Sequence, residues 1–301
     1  MNTKQLHYVL VLARESSFSK AADMLNITQP SLSQYVKKIE RQVGTELFDR
    51  TSGDVRLTDA GRVYIEAGRK ILDLEHQMEM RLADIAEHKA GTLIVGTTPY
   101  RAAVMMPEIA RLFQGLYPGM HLVVQEGTTT ELIEGMEHGE FDLCLTMLPL
   151  DERLFTYEDV VEEEMVLAVP ASYPEIPSIA FENRKYPAVN ASQINGQPFV
   201  MLTDTQYMQR QLENMCIDYK LSLKTSVVVK SLEAQIAMVR AGVGMALLPT
   251  GIECFCAKDE VRFYSLLQEL PRRQVVVMWR KDMELSKIAV ELKNLIHGIA
   301  W

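Results

Sequence analysis

The sequence predicts an α/β protein in three parts: a small helical head, one long helix, and a larger body in which strands and helices alternate. Three observations predict it. Before Thr58 the apolar residues recur at helical spacing in short bursts broken by capping and turn residues. From Thr58 to about His88 the spacing is sustained, with Tyr64, Ile71, Met78 and Ile85 seven apart and Ala67, Leu74 and Leu82 between them. From Thr92 the period shortens, and runs such as LIVG, HLVV and FDLCL read as buried strands separated by helices.

The head opens with a helix over Thr3 to Ser17, whose Leu6, Val9, Leu10 and Ala13 face inward. Ser19 is placed to cap a second helix carrying Ala21, Ala22 and Leu25, which ends at Asn26-Ile27. Thr28 caps a third, with Pro30 in its first turn, where a missing amide hydrogen costs nothing, and with Leu32, Val36, Ile39 and Val43 on the inner face. Its opposite face carries Gln29, Ser31, Ser33, Gln34 and Lys37. Amide side chains pair with adenine edges, while hydroxyls, lysine and the helix N-terminus reach bases or phosphate. An isolated polar stripe is more often a solvated face, but here the flanks decide for DNA. After Gly44, ELFDR and TSGDVRLT read as a short hairpin wing turning at Ser52-Gly53-Asp54, with Arg50 and Arg56 directed toward a phosphate backbone.

This stretch resembles the winged helix-turn-helix of the LysR-type transcriptional regulators. The family pattern is met by Phe18, Ser19, Ala21, Ala22 and Leu25, by Gln29, Pro30, Ser31, Ser33, Val36, Ile39 and Glu40, by Gly44, Leu47, Phe48 and Arg50, and by Leu57, Thr58, Ala60 and Gly61. The wing tip, often arginine-rich in the family, reads Thr51-Ser52-Gly53-Asp54 here, so weaker contact with phosphate is expected. The resemblance implies a winged helix-turn-helix over 1–57, a dimerising linker helix over 58–88, a hinge at 89–91 and a regulatory domain over 92–301. It also implies double-stranded promoter DNA, a small-molecule effector and RNA polymerase as partners, assembly as a homodimer or homotetramer, and no cofactor.

The regulatory domain is expected to have two lobes like a periplasmic binding protein, lobe I at 92–167 with 269–301 and lobe II at 168–268, joined by two crossover strands. Ligands of such sheets bind beyond the carboxyl ends of strands. Thr98, Pro99, Tyr100 and Arg101 follow LIVG, Thr128 and Thr129 follow HLVV, Met147 follows FDLCL, and Thr203 follows PFVML in the other lobe. Hydroxyls, a phenol and a guanidinium together suit a small anionic effector. The competing meaning of each threonine is a plain helix cap; convergence from both lobes favours a site. The stripe Tyr64, Ile71, Met78 and Ile85 is the expected dimerisation seam.

Composition agrees and excludes alternatives. Hydrophobic residues make up 48% and charged residues 24% of the 301, ordinary globular material. Residues 1–90 hold 13 basic and 13 acidic side chains, so the whole net charge of −9 falls in the remainder. The body is therefore not the DNA-binding part. The apolar run Tyr8 to Ala13 is too short for a signal peptide and no stretch reaches membrane-spanning length, so a cytoplasmic protein is expected. Cys144, Cys216, Cys254 and Cys256 are scattered, which suggests free thiols; a redox-sensing regulator switched by their oxidation is the alternative. Gly242-Val243-Gly244 follows a helix and reads as a C-cap rather than a nucleotide loop, no histidine shows metal-ligand spacing, and no enzyme is expected.

Overall fold

A computed structural model describes residues 3–49, 55–85, 91–203, 207–257, 259–268 and 270–301. Arg50, the wing turn Ser52-Gly53-Asp54, Lys89 and Ala90 of the expected hinge, and Asp204 and Thr205 lie outside the described residues, as does the side chain of Ile85.

The head packs α1 (Thr3–Glu15), α2 (Phe18–Met24) and α3 (Gln29–Val43) around Val9, Leu12, Ala21, Leu32, Val36 and Ile39, all buried. Ser17, not Ser19, caps α2: its backbone is extended and its hydroxyl accepts from Lys20 N. Phe18 already opens the helix, which leaves Ser19 in the first turn with helical dihedrals and no capping geometry. Thr28 caps α3 by accepting from Ser31 N, and Gly44 ends it at φ 82°. The wing is the antiparallel pair β1 (Phe48–Asp49) and β2 (Arg56–Leu57).

The long helix α4 spans Asp59–Ile85, 27 residues. Thr58 precedes it, donating to Glu46 O and accepting from Gly61 N at 2.9 Å. A β-carbon on Gly61 would collide with the Leu47 carbonyl, so the Ala-Gly step at this helix start is a close-approach requirement. Tyr64 is half-buried and packs against the core of the head, whereas Ile71, Leu74, Met78 and Leu82 are exposed. Gly91 is not hinge but the first residue of β3 (Gly91–Thr97).

Lobe I is a five-stranded sheet ordered β4-β3-β5-β13-β6. β4 (Met120–Glu126) and β5 (Leu143–Met147) run parallel to β3, whereas β13 (Arg273–Arg280) is antiparallel to β5 and to β6 (Phe155–Glu163). The helical stretch after β3 divides into α5 (Pro99–Val104) and α6 (Met106–Leu116), because Pro107 has no amide to continue the ladder and its ring crowds the carbonyl four residues back. α7 (Thr129–Glu137) and α10 (Lys287–Gly298) complete the lobe, α10 opening where Ser286 accepts from Ala289 N.

Lobe II contains the sheet β11-β7-β12-β8, made of β7 (Met165–Pro170), β8 (Ala188–Val189), β11 (Ala246–Pro249) and β12 (Val261–Leu266). Beside it lies the parallel pair β9 (Pro198–Leu202) and β10 (Lys224–Val229), with α8 (Tyr207–Asp218) and α9 (Leu232–Arg240). Since β7 starts at Met165 in the sheet of lobe II, the first crossover falls at Glu164, earlier than the expected 167. The return crossover leads into β13 at Arg273.

Candidate functional sites: a DNA-reading face and an interlobe cleft

On α3, Gln29, Pro30, Gln34 and Lys37 are exposed and Ser31 and Ser33 half-buried, with Tyr35, Lys38 and Arg41 exposed on the same helix. Thr28 and Ser31 share a hydroxyl hydrogen bond of 2.8 Å, so Ser31 also belongs to the cap. Arg56 stands exposed on β2. Glu40, 9% exposed, accepts from Leu47 N at 3.0 Å and Phe48 N at 3.3 Å and so ties the start of the wing to the back of the reading helix. Sequence reasoning placed Glu40 in the family pattern without a role; its signal was a carboxylate on the otherwise apolar inner face.

The effector candidates divide. The C-terminal ends of β4, β3 and β5 are adjacent, and Gly127 N donates to Thr97 O at 3.1 Å, which sets the Thr98 and Thr128 loops side by side. Thr98, Thr129, Met147 and Thr203 are half-buried, while Pro99 and Thr128 are exposed. Thr98 precedes α5 but its hydroxyl makes no capping bond. The Thr128 hydroxyl is engaged, accepting from Glu131 N and donating to Glu131 Oε2 in a capping box, and the Thr128 amide and hydroxyl together hold the Glu131 carboxyl below its ordinary range. Tyr100 is buried, donates to Thr250 O at 2.8 Å, and thereby links α5 to lobe II; burial pushes its phenol far above the usual value.

Arg101 is neither a solvated helix-start residue nor an open anion donor. It is 1% exposed, and its Nη2 donates to Glu163 Oε2 at 3.0 Å. The same carboxylate lies 3.8 Å from Arg273 Nε, across the register pair Arg273–Glu163 of β13 and β6. The Arg273 guanidinium donates to Met147 Sδ of lobe I and to Met208 Sδ of α8 in lobe II. One buried ionic cluster therefore joins both lobes and both crossovers at the base of the cleft. Sequence reasoning missed Glu163 and Arg273. The runs Glu162-Glu163-Glu164 and Arg272-Arg273 carry no apolar signal, yet the two-residue period of a strand turns the middle glutamate inward while Glu162 and Glu164 face outward to Arg272.

The linker helix is also attached to lobe I. Asp73 pairs with Arg280 of β13 at 2.5 Å, Arg69 meets His138 after α7, and His76 Nε2 lies 3.0 Å from Asp142, whose other oxygen accepts from Ile94 N at 2.7 Å. The Asp142 hydrogen bond holds the His76 imidazole above its ordinary pKa. Gly139, at φ +71°, packs against Asp73 so closely that a β-carbon would collide with it.

A small winged helix-turn-helix head, a long helix and a two-lobed α/β body with its cleft at the lobe junction define a DNA-binding regulator carrying a ligand-binding domain. Residues 3–62 match the bacterial regulatory helix-turn-helix protein, lysR family, and residues 86–298 the LysR substrate binding domain. The chain belongs to the LysR family of transcriptional regulators. It is 28% identical to the uncharacterized HTH-type transcriptional regulator YcgK of Bacillus subtilis over 98% of this chain and 94% of that one. It is 26% identical to the DNA-binding transcriptional dual regulator OxyR of Escherichia coli, over 99% and 95%. Among solved structures it is similar to the LysR family transcriptional regulator CbnR, with a TM-score of 0.70 at 17% identity over 99% of each chain. Among the described residues no helix is long and apolar enough to cross a membrane.

Proposed function

We propose that this regulator reads promoter DNA with Gln29, Pro30, Ser31, Ser33, Gln34 and Lys37 of α3 and with Arg50 and Arg56 of the wing, and that a small anionic effector bound between the lobes sets its activity. The dimer forms through Ile71, Met78 and Ile85 of the linker helix and pairs further into a tetramer where the promoter calls for it. It acts in the cytoplasm through RNA polymerase. The observation that carries the effector reading is the Arg273 guanidinium at the lobe junction, which donates to Met147 of lobe I and to Met208 of lobe II, beside the buried Arg101 whose Nη1 reaches the Thr98 hydroxyl at 3.5 Å. Hydroxyl donors beside cationic groups in a desolvated cleft favour an oxyanion.

The test is a thermal-shift screen of the full chain against small carboxylates and amino acids, followed by Thr98→Val and Thr203→Val. Each variant keeps shape and loses one hydroxyl, so each weakens the stabilising compound by roughly 1 to 3 kcal/mol. Unchanged binding in both would move the effector elsewhere.

Some relatives are named as hydrogen peroxide-inducible genes activators, which raises the cysteine reading. Thiolate is the reactive form, and burial holds Cys144, Cys216, Cys254 and Cys256 all above their ordinary pKa. A chain with serine at all four positions keeps its response in a promoter reporter; loss of a peroxide response in that chain would establish the redox reading instead.

A further inference from the structure

The cluster at the cleft base holds a carboxylate that the chain itself supplies. Glu163 is bonded to Arg101, a residue that the loop after β3 directs into the lobe junction, and its backbone belongs to the strand that leaves lobe I for lobe II. Among the described residues Arg101 Nε, in a side chain 1% exposed, has no hydrogen-bond partner, and neither has the buried Thr146 Oγ1 on β5. Buried donors without acceptors are rare and carry a desolvation cost that a bound oxygen would remove. The guanidinium is thus partly used: Nη2 is on Glu163, Nη1 reaches the Thr98 hydroxyl at 3.5 Å, and the Nε–H is unsatisfied.

We propose that Glu163 is an internal stand-in for the carboxylate of the effector: a ligand carboxylate takes Arg101 over, satisfies both the Nη and Nε donors in the bidentate geometry that guanidinium favours, and releases Glu163 and with it the first crossover strand. This rests on the cleft reading above and adds to it a ligand class, a carboxylate rather than any oxyanion, and a switching event. Because Glu163 and Arg273 face each other across the two crossovers, a carboxylate leaving Arg101 changes the balance of charge at both connections between the lobes. A site occupied by its own side chain is open to ligand only in the fraction of molecules where that side chain has left, so the internal glutamate also sets the effector concentration at which the regulator answers.

The experiment needs no knowledge of the natural effector. Glu163→Ala removes from the side chain the atoms of an acetate ion, so acetate is the probe. In the full chain carrying Glu163→Ala, sodium acetate raises the unfolding midpoint by roughly 3 °C or more beyond equal sodium chloride, saturably, while the parent chain answers the two salts alike. The added Arg101→Leu change abolishes the difference. Should the alanine chain not fold, Glu163→Gln keeps the volume and loses the charge, and acetate then competes with a neutral amide and stabilises this chain too. An acetate response no larger than chloride in the variant that folds, or one that survives Arg101→Leu, overturns the proposal. The two readings fail separately: if Thr98→Val and Thr203→Val abolish binding of a screened compound while acetate does nothing to the Glu163 variants, the cleft stands and the stand-in falls. If acetate rescues but the threonine changes leave every compound bound as before, the reverse holds.

Discussion

Glu40 illustrates how much one carboxylate does in the head. It lies on the inner face of α3 and accepts two backbone amides at the start of the wing, so removing it leaves two buried donors unpaired. Glu40→Ala is expected to cost roughly 1 to 3 kcal/mol by chemical denaturation, because desolvated amides lose their partners. Glu40→Gln keeps an acceptor oxygen and costs less. The sequence announced the caps of α3, since Thr28, Pro30 and Gly44 act through their own neighbours. It could not announce partnerships between residues far apart in the chain: Arg101 finds Glu163 across 62 positions, and nothing local in the loop after β3 distinguishes an arginine held by a buried glutamate from one held out to a ligand.

At the scale of elements, α4 is the part whose two faces differ in kind. Arg69, Asp73, His76 and Met80 meet lobe I, whereas Ile71, Leu74, Met78 and Leu82 lie exposed on the other side, two positions or about 200° round the helix from the first set. Ile71→Asp puts a charge where a partner helix would bury an apolar chain; light scattering is expected to show loss of the dimer, at several kcal/mol if the aspartate is desolvated. The lobe-facing side answers to pH. The folded pKa of His76 stands above its unfolded value of 6.5, so its contribution to stability is fully present below pH 6.5 and is lost as pH rises through the raised folded value. Urea midpoints at pH 6 and pH 8.5 are therefore expected to differ more in the parent than in His76→Gln, and equal differences would show that the Asp142 contact does not matter to stability. Periodicity foretold the exposed stripe but not the attached face, because Arg69, Asp73 and His76 carry no apolar signal. The same limit hid β6 and β12: the acidic positions of β6 and Arg262 in β12 break a clean alternation of polar and apolar side chains.

Over the whole molecule the division of charge holds the two functions apart. An acidic regulatory domain is repelled by DNA, which leaves binding to a head that is neutral overall and must use groups set on one surface. Lys37→Ala is accordingly expected to flatten the salt dependence of promoter binding by about one unit of log K per unit of log salt, and Gln34→Ala to relax base preference with that slope kept. Gel-shift titrations at several salt concentrations check both. The three-part architecture of head, helix and α/β body was legible because each part has its own hydrophobic period, while the division of the body into two lobes followed from the family resemblance. The mixed sheets were less so: β13 returns from lobe II to run antiparallel between β5 and β6, and strand direction leaves no mark on composition.

The attachment of α4 along lobe I has a mechanical meaning. A helix of 27 residues is a stiff rod roughly 40 Å long, held to the ligand-binding lobe from Arg69 to Met80 and carrying the head at its N-terminal end. Between Arg69, the lobe contact nearest the head, and Asp59 the rod runs about 15 Å, so a tilt of about 10° about that contact displaces the head end by roughly 3 Å, about one base-pair step along a duplex. Sub-ångström adjustments at a hinge carboxylate would be amplified by leverage alone, and the gain depends on the length of the rod. Shortening α4 by one full turn keeps its faces in phase while reducing the stroke, so the regulator would still bind its promoter and bend its answer to a smaller range.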